Sequence, residues 1–238
     1  MNANKTKSVR HIETFFVIDL DRCLVDTGKL HNFLESLAGQ ETSLSVEALK
    51  EARNNTERAG ETFDTISYIH KVLDGEATDA WLRLECVFIE KSRGQDLFEP
   101  YAREFLDTLR ARHIPHGILT YGAEAWQLAK LEATGLITLP HLVTQIKEKG
   151  TLLSGWKQGD TFVIPAGLVE TDETLVASSL VFLDDKPISF ANIPPRVRGI
   201  HVLPVNEPPL PIQIGVLPPG VEEVKGLQGA AEVLFGGQ

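Results

Sequence analysis

Apolar residues recur along this chain in two rhythms, short continuous runs and helix-spaced stripes. The runs are Phe15–Ile18, the stretch from His116 to Tyr121, the stretch from Leu142 to Ile146, and Leu180–Leu183. Continuous apolarity over a few residues suits a strand covered on both faces, as in a parallel sheet. Between the first two runs, Gly28 to Leu37, Val46 to Ala59, Thr62 to Leu73 and Thr78 to Lys91 each carry apolar residues at helical spacing, punctuated by Gly39, Gly60, Gly75 and Gly94. This spacing predicts a helical bundle inserted into an α/β domain. Further helices are expected over Phe98 to Arg112, with Phe105, Leu106 and Leu109 on one face, over Glu124 to Glu132, and over Thr151 to Trp156. Six of the 13 prolines fall between Pro204 and Pro219, so that stretch reads as an extended loop, followed by an edge strand and a final helix in Gly220 to Phe235.

Each apolar run ends in groups that carry chemistry. The first delivers Asp19 and Asp21, one residue apart; the second closes on Thr120, Tyr121 and Gly122; the third runs into Lys147 and Lys149; the fourth ends in the adjacent pair Asp184 and Asp185. Taken singly, each has a plain structural reading. Acids cap strands and turns, a threonine before a helix is a helix cap, and lysines after a strand face solvent. Taken together, acid pair, hydroxyl, ammonium and acid pair would meet in one crevice, because ligands gather at the carboxyl ends of strands in open α/β sheets.

These four segments resemble the signature motifs of the haloacid dehalogenase superfamily, a group of mostly magnesium-dependent phosphohydrolases with a Rossmann-like core. Asp19 and Asp21 match the first motif, Thr120 the second, Lys149 before Gly150 the third with Lys147 as a rival, and Asp184 with Asp185 the double-acid form of the fourth. The resemblance implies a parallel-sheet core over residues 1–27 and 96–238, with 28–95 forming a helical cap of the C1 type that closes over the phosphate site. Cys23 stands where the family usually has Thr or Val, and its weaker hydrogen bonding could loosen the setting of the first motif. A buried structural thiol is the expected state of Cys23, with a redox role as the alternative.

By that resemblance, Asp19 is the nucleophile and a Mg2+ ligand, Asp21 contributes its backbone carbonyl to the ion, Asp185 supplies a carboxylate, and Asp184 sits behind it. The Asp21 side chain is then free to protonate the leaving oxygen and afterwards to activate water. Thr120, Tyr121, Gly122 and Lys149 would hold the phosphoryl oxygens. The expected activity is hydrolysis of a small phosphorylated metabolite through a phosphoaspartate. Dehalogenases of the family lack an acid at the position of Asp21, which favours phosphoryl transfer. A binding or regulatory protein without turnover is the main alternative, with phosphomutase and phosphonatase behind it; the last would need a cap lysine, for which Lys29, Lys50 and Lys71 lie in the right region. Cap residues Arg53, Tyr68, His70, Trp81 and Arg83 are candidates for substrate choice.

Composition narrows the setting. With 238 residues and 42% hydrophobic positions, the chain can bury one ordinary core plus an insertion, and two cysteines exclude a disulfide framework. The net charge of −10 makes nucleic acid and anionic membranes poor partners, and requires local positive charge, with Arg22 a contributor, wherever a phosphate enters. Met1 to His11 is polar and reads as a disordered tail rather than a signal peptide, which with no membrane-length apolar run makes a cytoplasmic location the expectation. His113 and His116 lack companions for zinc, and neither a phosphate-binding Walker loop nor a dinucleotide fingerprint occurs. Oligomeric state is not legible.

Overall fold

A computed structural model describes residues 8–42, 44–59, 63–73, 79–205 and 209–236. Helix starts expected at Thr62 and Thr78 and breaks at Gly60 and Gly75 lie outside these residues, as do Met1 to Lys7 of the expected tail. The strands are β1 (Val9–Ile18), β2 (His116–Tyr121), β3 (His141–Thr144), β4 (Lys157–Gln158), β5 (Thr161–Val163), β6 (Thr174–Asp184), β7 (Val197–Leu203) and β8 (Glu222–Lys225). Six of them form a parallel path in the order β3-β2-β1-β6-β7-β8, and the antiparallel β4–β5 hairpin pairs with the first half of β6. The chain is therefore α/β with a Rossmann-like parallel sheet.

The pleat of the central strands explains why their apolar runs are continuous. Phe16 and Ile18 of β1, with Val181 and Leu183 of β6, enter one core; Phe15 and Val17, with Leu180 and Phe182, enter the other. Successive side chains point to opposite faces, so a strand buried on both faces needs apolar residues at every position. The first core continues into α1 (Thr27–Glu41), α2 (Val46–Arg58), α3 (Thr65–Leu73) and α4 (Asp79–Ser92), which occupy the region between β1 and β2 and pack on one another. Both α3 and α4 also contact α6 (Glu124–Thr134) of the sheet domain. The remaining helices are α5 (Ala102–Ala111), α7 (Lys149–Trp156) and α8 (Gly226–Phe235). None of the described helices is long and apolar enough to cross a membrane.

Two expectations need correction, and one element had no expectation. The polar tail was expected to reach His11, but Val9, Arg10 and His11 belong to β1 and pair with Thr174, Leu175 and Val176. Backbone pairing to the long β6 extends the strand beyond its apolar part, with Val9–His11 exposed, so side-chain pattern does not reveal it. The helix expected from Phe98 starts at Ala102, because Pro100 precedes Tyr101, which adopts a left-handed φ of 68°. The β4–β5 hairpin, with strands of two and three residues, is too short to leave a periodic signal. As expected, β8 is an edge strand followed by a helix, and the described part of the proline-rich segment contains one short 3-10 helix, Pro211–Gln213, and no strand.

Candidate active site

Neighbouring parallel strands place the acids. β1 and β6 pair in register up to Ile18 and Leu183, so Asp19 and Asp184 leave the sheet side by side. Asp19, Asp184 and Asp185 are buried, and one carboxylate oxygen from each lies within 4.8 Å of the others. Like charges so close in a dry site raise one another's pKa. Burial, reinforced by Asp184 and Asp185 and opposed by Lys149, pushes Asp19 up to about 8. Burial likewise lifts Asp185 to about 6, although Lys186 draws it back.

Lys149 is the cation inside this cluster. Its Nζ donates to Asp19 Oδ1 at 2.5 Å and to Asp184 Oδ2 at 2.7 Å, while Lys147 Nζ lies 6.0 Å from the centre of the Tyr121 ring. Burial would lower the Lys149 pKa, but Asp184 and Asp19 overcome it and raise it, so the ammonium stays charged. The position depends on the next residue. A Cβ on Gly150 would stand 2.3 Å from the Ala191 carbonyl oxygen, so only glycine lets the start of α7 approach the turn that follows β6.

The remaining bonds of the acids are specific. Asp184 Oδ1 accepts from the Lys186 backbone N–H at 2.9 Å. Asp185 Oδ2 accepts from Gln213 Nε2 at 3.0 Å, and Gln213, 1% exposed, comes from the turn in the proline-rich segment. Asp185 Oδ1 is buried with no hydrogen-bond partner. A buried carboxylate oxygen left unpaired is costly, and a hard cation such as Mg2+ or Ca2+ takes oxygen ligands of this kind. The orphaned oxygen and its two neighbouring acids thus fit a divalent ion.

Asp21 differs from its expected state. Its side chain is not free: Lys130 Nζ donates to both of its oxygens at 2.5 Å, Thr27 Oγ1 to Oδ1 at 2.9 Å, and Gln127 Nε2 to Oδ2 at 3.2 Å. Burial disfavours the charge, yet Lys130 and Lys186 outweigh it and hold Asp21 well below the usual carboxylate range. Thr120 is also engaged. It lies in β2, fully buried, and donates its hydroxyl to Gln127 Oε1 at 2.9 Å; it is not the helix cap, since α6 begins after Ala123. Gly122 has φ 145°, and a Cβ there would come within 2.6 Å of Gln127 Nε2. Tyr121 and Lys147 line a cavity of about 780 Å³ beside Lys149.

Sequence reasoning passed over Gln127, Lys130 and Gln213. A signal existed for the first two: α6 buries Trp126, Ala129, Leu131 and Ala133, and Gln127 and Lys130 are buried with them. Polar residues on an apolar helix face need partners. Gln213 left no such mark. Cys23 is 1% exposed, and burial, with Asp19 nearby, raises its thiol well above the ordinary value, the state of an inert structural cysteine.

A second cavity, of about 330 Å³, opens beside Asp21. The inserted helices reach it through His31, Asn54, Arg58 and the adjoining Phe63. The cap residues named as candidates for substrate choice are not among its lining residues. Arg53 pairs with Glu35 at 2.8 Å, Tyr68 packs at a tilt against Phe63, His70 packs on the buried Trp81, and Arg83 faces solvent. Lys29 pairs with Asp26, and Lys50 and Lys71 are exposed; none of the three lines either cavity, which removes the support for a phosphonatase.

Comparison with known proteins adds the fold. No protein-family model matches the chain, and no curated protein matches it in sequence. Among solved structures, it is similar to a haloacid dehalogenase-like hydrolase from Burkholderia xenovorans, with 18% identity over 92% of this chain and 95% of that one and a TM-score of 0.63. It is also similar to a β-phosphoglucomutase from Thermotoga maritima, with 14% identity, 95% and 100% coverage and a TM-score of 0.55. A third is the HAD-hydrolase YfnB from Bacillus subtilis, described bound to magnesium, with 15% identity, 94% and 99% coverage and a TM-score of 0.53. The chain has the haloacid dehalogenase-like hydrolase fold.

Proposed function

We propose that the protein is a haloacid dehalogenase superfamily phosphohydrolase that uses Mg2+ and a phosphoaspartate on Asp19. The observation that carries this reading is the buried triad of Asp19, Asp184 and Asp185 around one unpaired oxygen, with Lys149 held between two of its members. When bound, Mg2+ would supply positive charge that lets a carboxylate approach a phosphoryl dianion. Asp19, Asp185 and the Asp21 carbonyl would hold it, with Asp184 fixing Lys149. Asp19 attacks phosphorus, and Lys149 neutralises a non-bridging oxygen. Thr120 fixes Gln127, and through it the Asp21 carboxylate.

Lys130 changes the acid–base part of this chemistry. Asp21 is ionised in the pair, so the proton for the leaving oxygen resides on Lys130 and passes through Asp21, which returns as the base for water. The presence of an acid at position 21 favours phosphoryl transfer over attack on carbon. Substrates are small phosphomonoesters, and the inserted helices act as the cap. The test is hydrolysis of phenyl phosphate with and without Mg2+, by wild type and Asp19→Asn. Turnover that requires both Mg2+ and Asp19 is the expected result; absence of Mg2+-dependent turnover on any phosphoester overturns the reading in favour of a binding protein.

A further inference from the structure

The cavity beside Asp21 is lined by more cations than carboxylates. Arg22, Arg58, Lys130 and Lys186 line it, and among its described lining residues the sole carboxylate is Asp21, which Lys130 already matches. Lys186 also faces Asp185, Asp19, Asp21 and Asp184, and Arg22 faces Asp185, so among the described residues Arg58 is the lining cation with no carboxylate against it. The chain as a whole has a net charge of −10, so the concentration of cations is local and opposed to the general surface. His31, in the same wall, is kept neutral by burial and by the nearby Arg53 and Lys130.

Backbone conformation at Arg22 is an independent sign. Its φ is 57°, in the left-handed region where a side chain is strained and glycine is favoured. Strain of this kind persists at ligand sites, where the side chain it retains has a use. Arg22 is among the residues that line the cavity. Phe63, Trp126 and Ile212 give the lining an apolar part, and a space of about 330 Å³ admits one small ring or short chain.

We propose that this cavity is a subsite for a second anionic group, so that the substrate is a compact phosphomonoester whose leaving group carries a carboxylate or a similar anion on an apolar frame. The assignment rests on the phosphohydrolase reading for its orientation: phosphate at Asp19, leaving group beyond Asp21. Arg58 and Lys186 line both this cavity and the larger one beside Lys149, so they could serve the phosphate alone, and the test must separate the two roles.

The experiment compares 4-carboxyphenyl phosphate with its neutral isostere 4-carbamoylphenyl phosphate, in wild type and Arg58→Ala. Wild type is expected to favour the carboxylate in kcat/KM by about tenfold or more, and Arg58→Ala to bring the ratio near one. A parallel titration follows Trp fluorescence with 4-hydroxybenzoate and 4-hydroxybenzamide, since Trp126 lines the cavity. Tighter binding of the benzoate, lost in Arg58→Ala, supports the subsite whether or not phosphate is hydrolysed. Turnover of both esters with no preference, or an equal loss on both in Arg58→Ala, overturns the subsite and leaves the phosphohydrolase standing. Selective benzoate binding with no Mg2+-dependent turnover of any phosphoester overturns the phosphohydrolase and leaves the subsite.

Discussion

Gln213 donates its side-chain amide to Asp185 Oδ2 at 3.0 Å, tying the turn of the proline-rich segment to the acid cluster at the end of β6. Its own Oε1 accepts from the Leu210 backbone N–H at 2.8 Å, which fixes the amide's orientation. With one Asp185 oxygen occupied in this way, the unpaired Oδ1 is the one left for a cation.

Removing that amide should therefore weaken ion binding without removing a ligand. Gln213→Leu is expected to raise the Mg2+ dissociation constant by about 10- to 100-fold, the usual effect of losing a partner of a metal ligand. Calorimetric titration of Mg2+ into the protein measures it. Unchanged affinity would mean that Gln213 serves only the turn.

In the proposed mechanism the Asp21–Lys130 pair supplies the proton to the leaving group, so its importance should depend on that group. Lys130→Met should cut kcat on alkyl phosphates by about 10²-fold or more, and far less on p-nitrophenyl phosphate, whose phenolate leaves without protonation. The slope of log kcat against leaving-group pKa should steepen in the variant. An equal loss on both substrates would assign Lys130 to packing instead.

At Gly150 the approach of α7 to Ala191 leaves no room for a methyl group. Gly150→Ala should destabilise the fold by about 1–3 kcal/mol, as overpacking against backbone does, and shift Lys149 away from Asp184. Urea unfolding, with activity read in parallel, tests both effects.

Protonation of His31 supplies a pH signature. The ring is buried against Trp126, and burial pushes its pKa down to about 3 from an ordinary 6.5. Between those values the unfolded chain binds a proton that the folded chain does not, so stability rises with pH there. The contribution is intact above pH 6.5 and is lost as pH falls towards 3, amounting to on the order of a few kcal/mol. Subtracting the stability curve of His31→Gln from that of wild type, by denaturant titration from about pH 7 to about pH 4, should isolate this slope.

Arg22→Gly should act in the opposite sense on stability. Relief of the left-handed strain is worth about 1 kcal/mol, read as a higher melting temperature.

Much of the fold was legible because it follows from local rules. A strand buried on both faces must be apolar throughout, and helices packed on one side must be striped, so β1, β2, β6 and α1 to α4 announced themselves. The acids after β1 and β6 were legible for the same reason, as charges interrupting an apolar run. Thr120 and Asp21 could be located in the chain but not given partners. Each bonds to residues on α6, and for Asp21 that partner, Lys130, is 109 positions away.

Local patterning thus established which segments are strands and helices, and where their charged ends fall, because burial and backbone periodicity act over a few residues. Folding in three dimensions established which of those ends share a bond: that Lys149 rather than Lys147 enters the triad, that Asp21 is saturated, and that Gln213 arrives from a loop with no periodic signal. Such pairings depend on the packing of distant elements to within a hydrogen-bond length. No spacing along the chain encodes them.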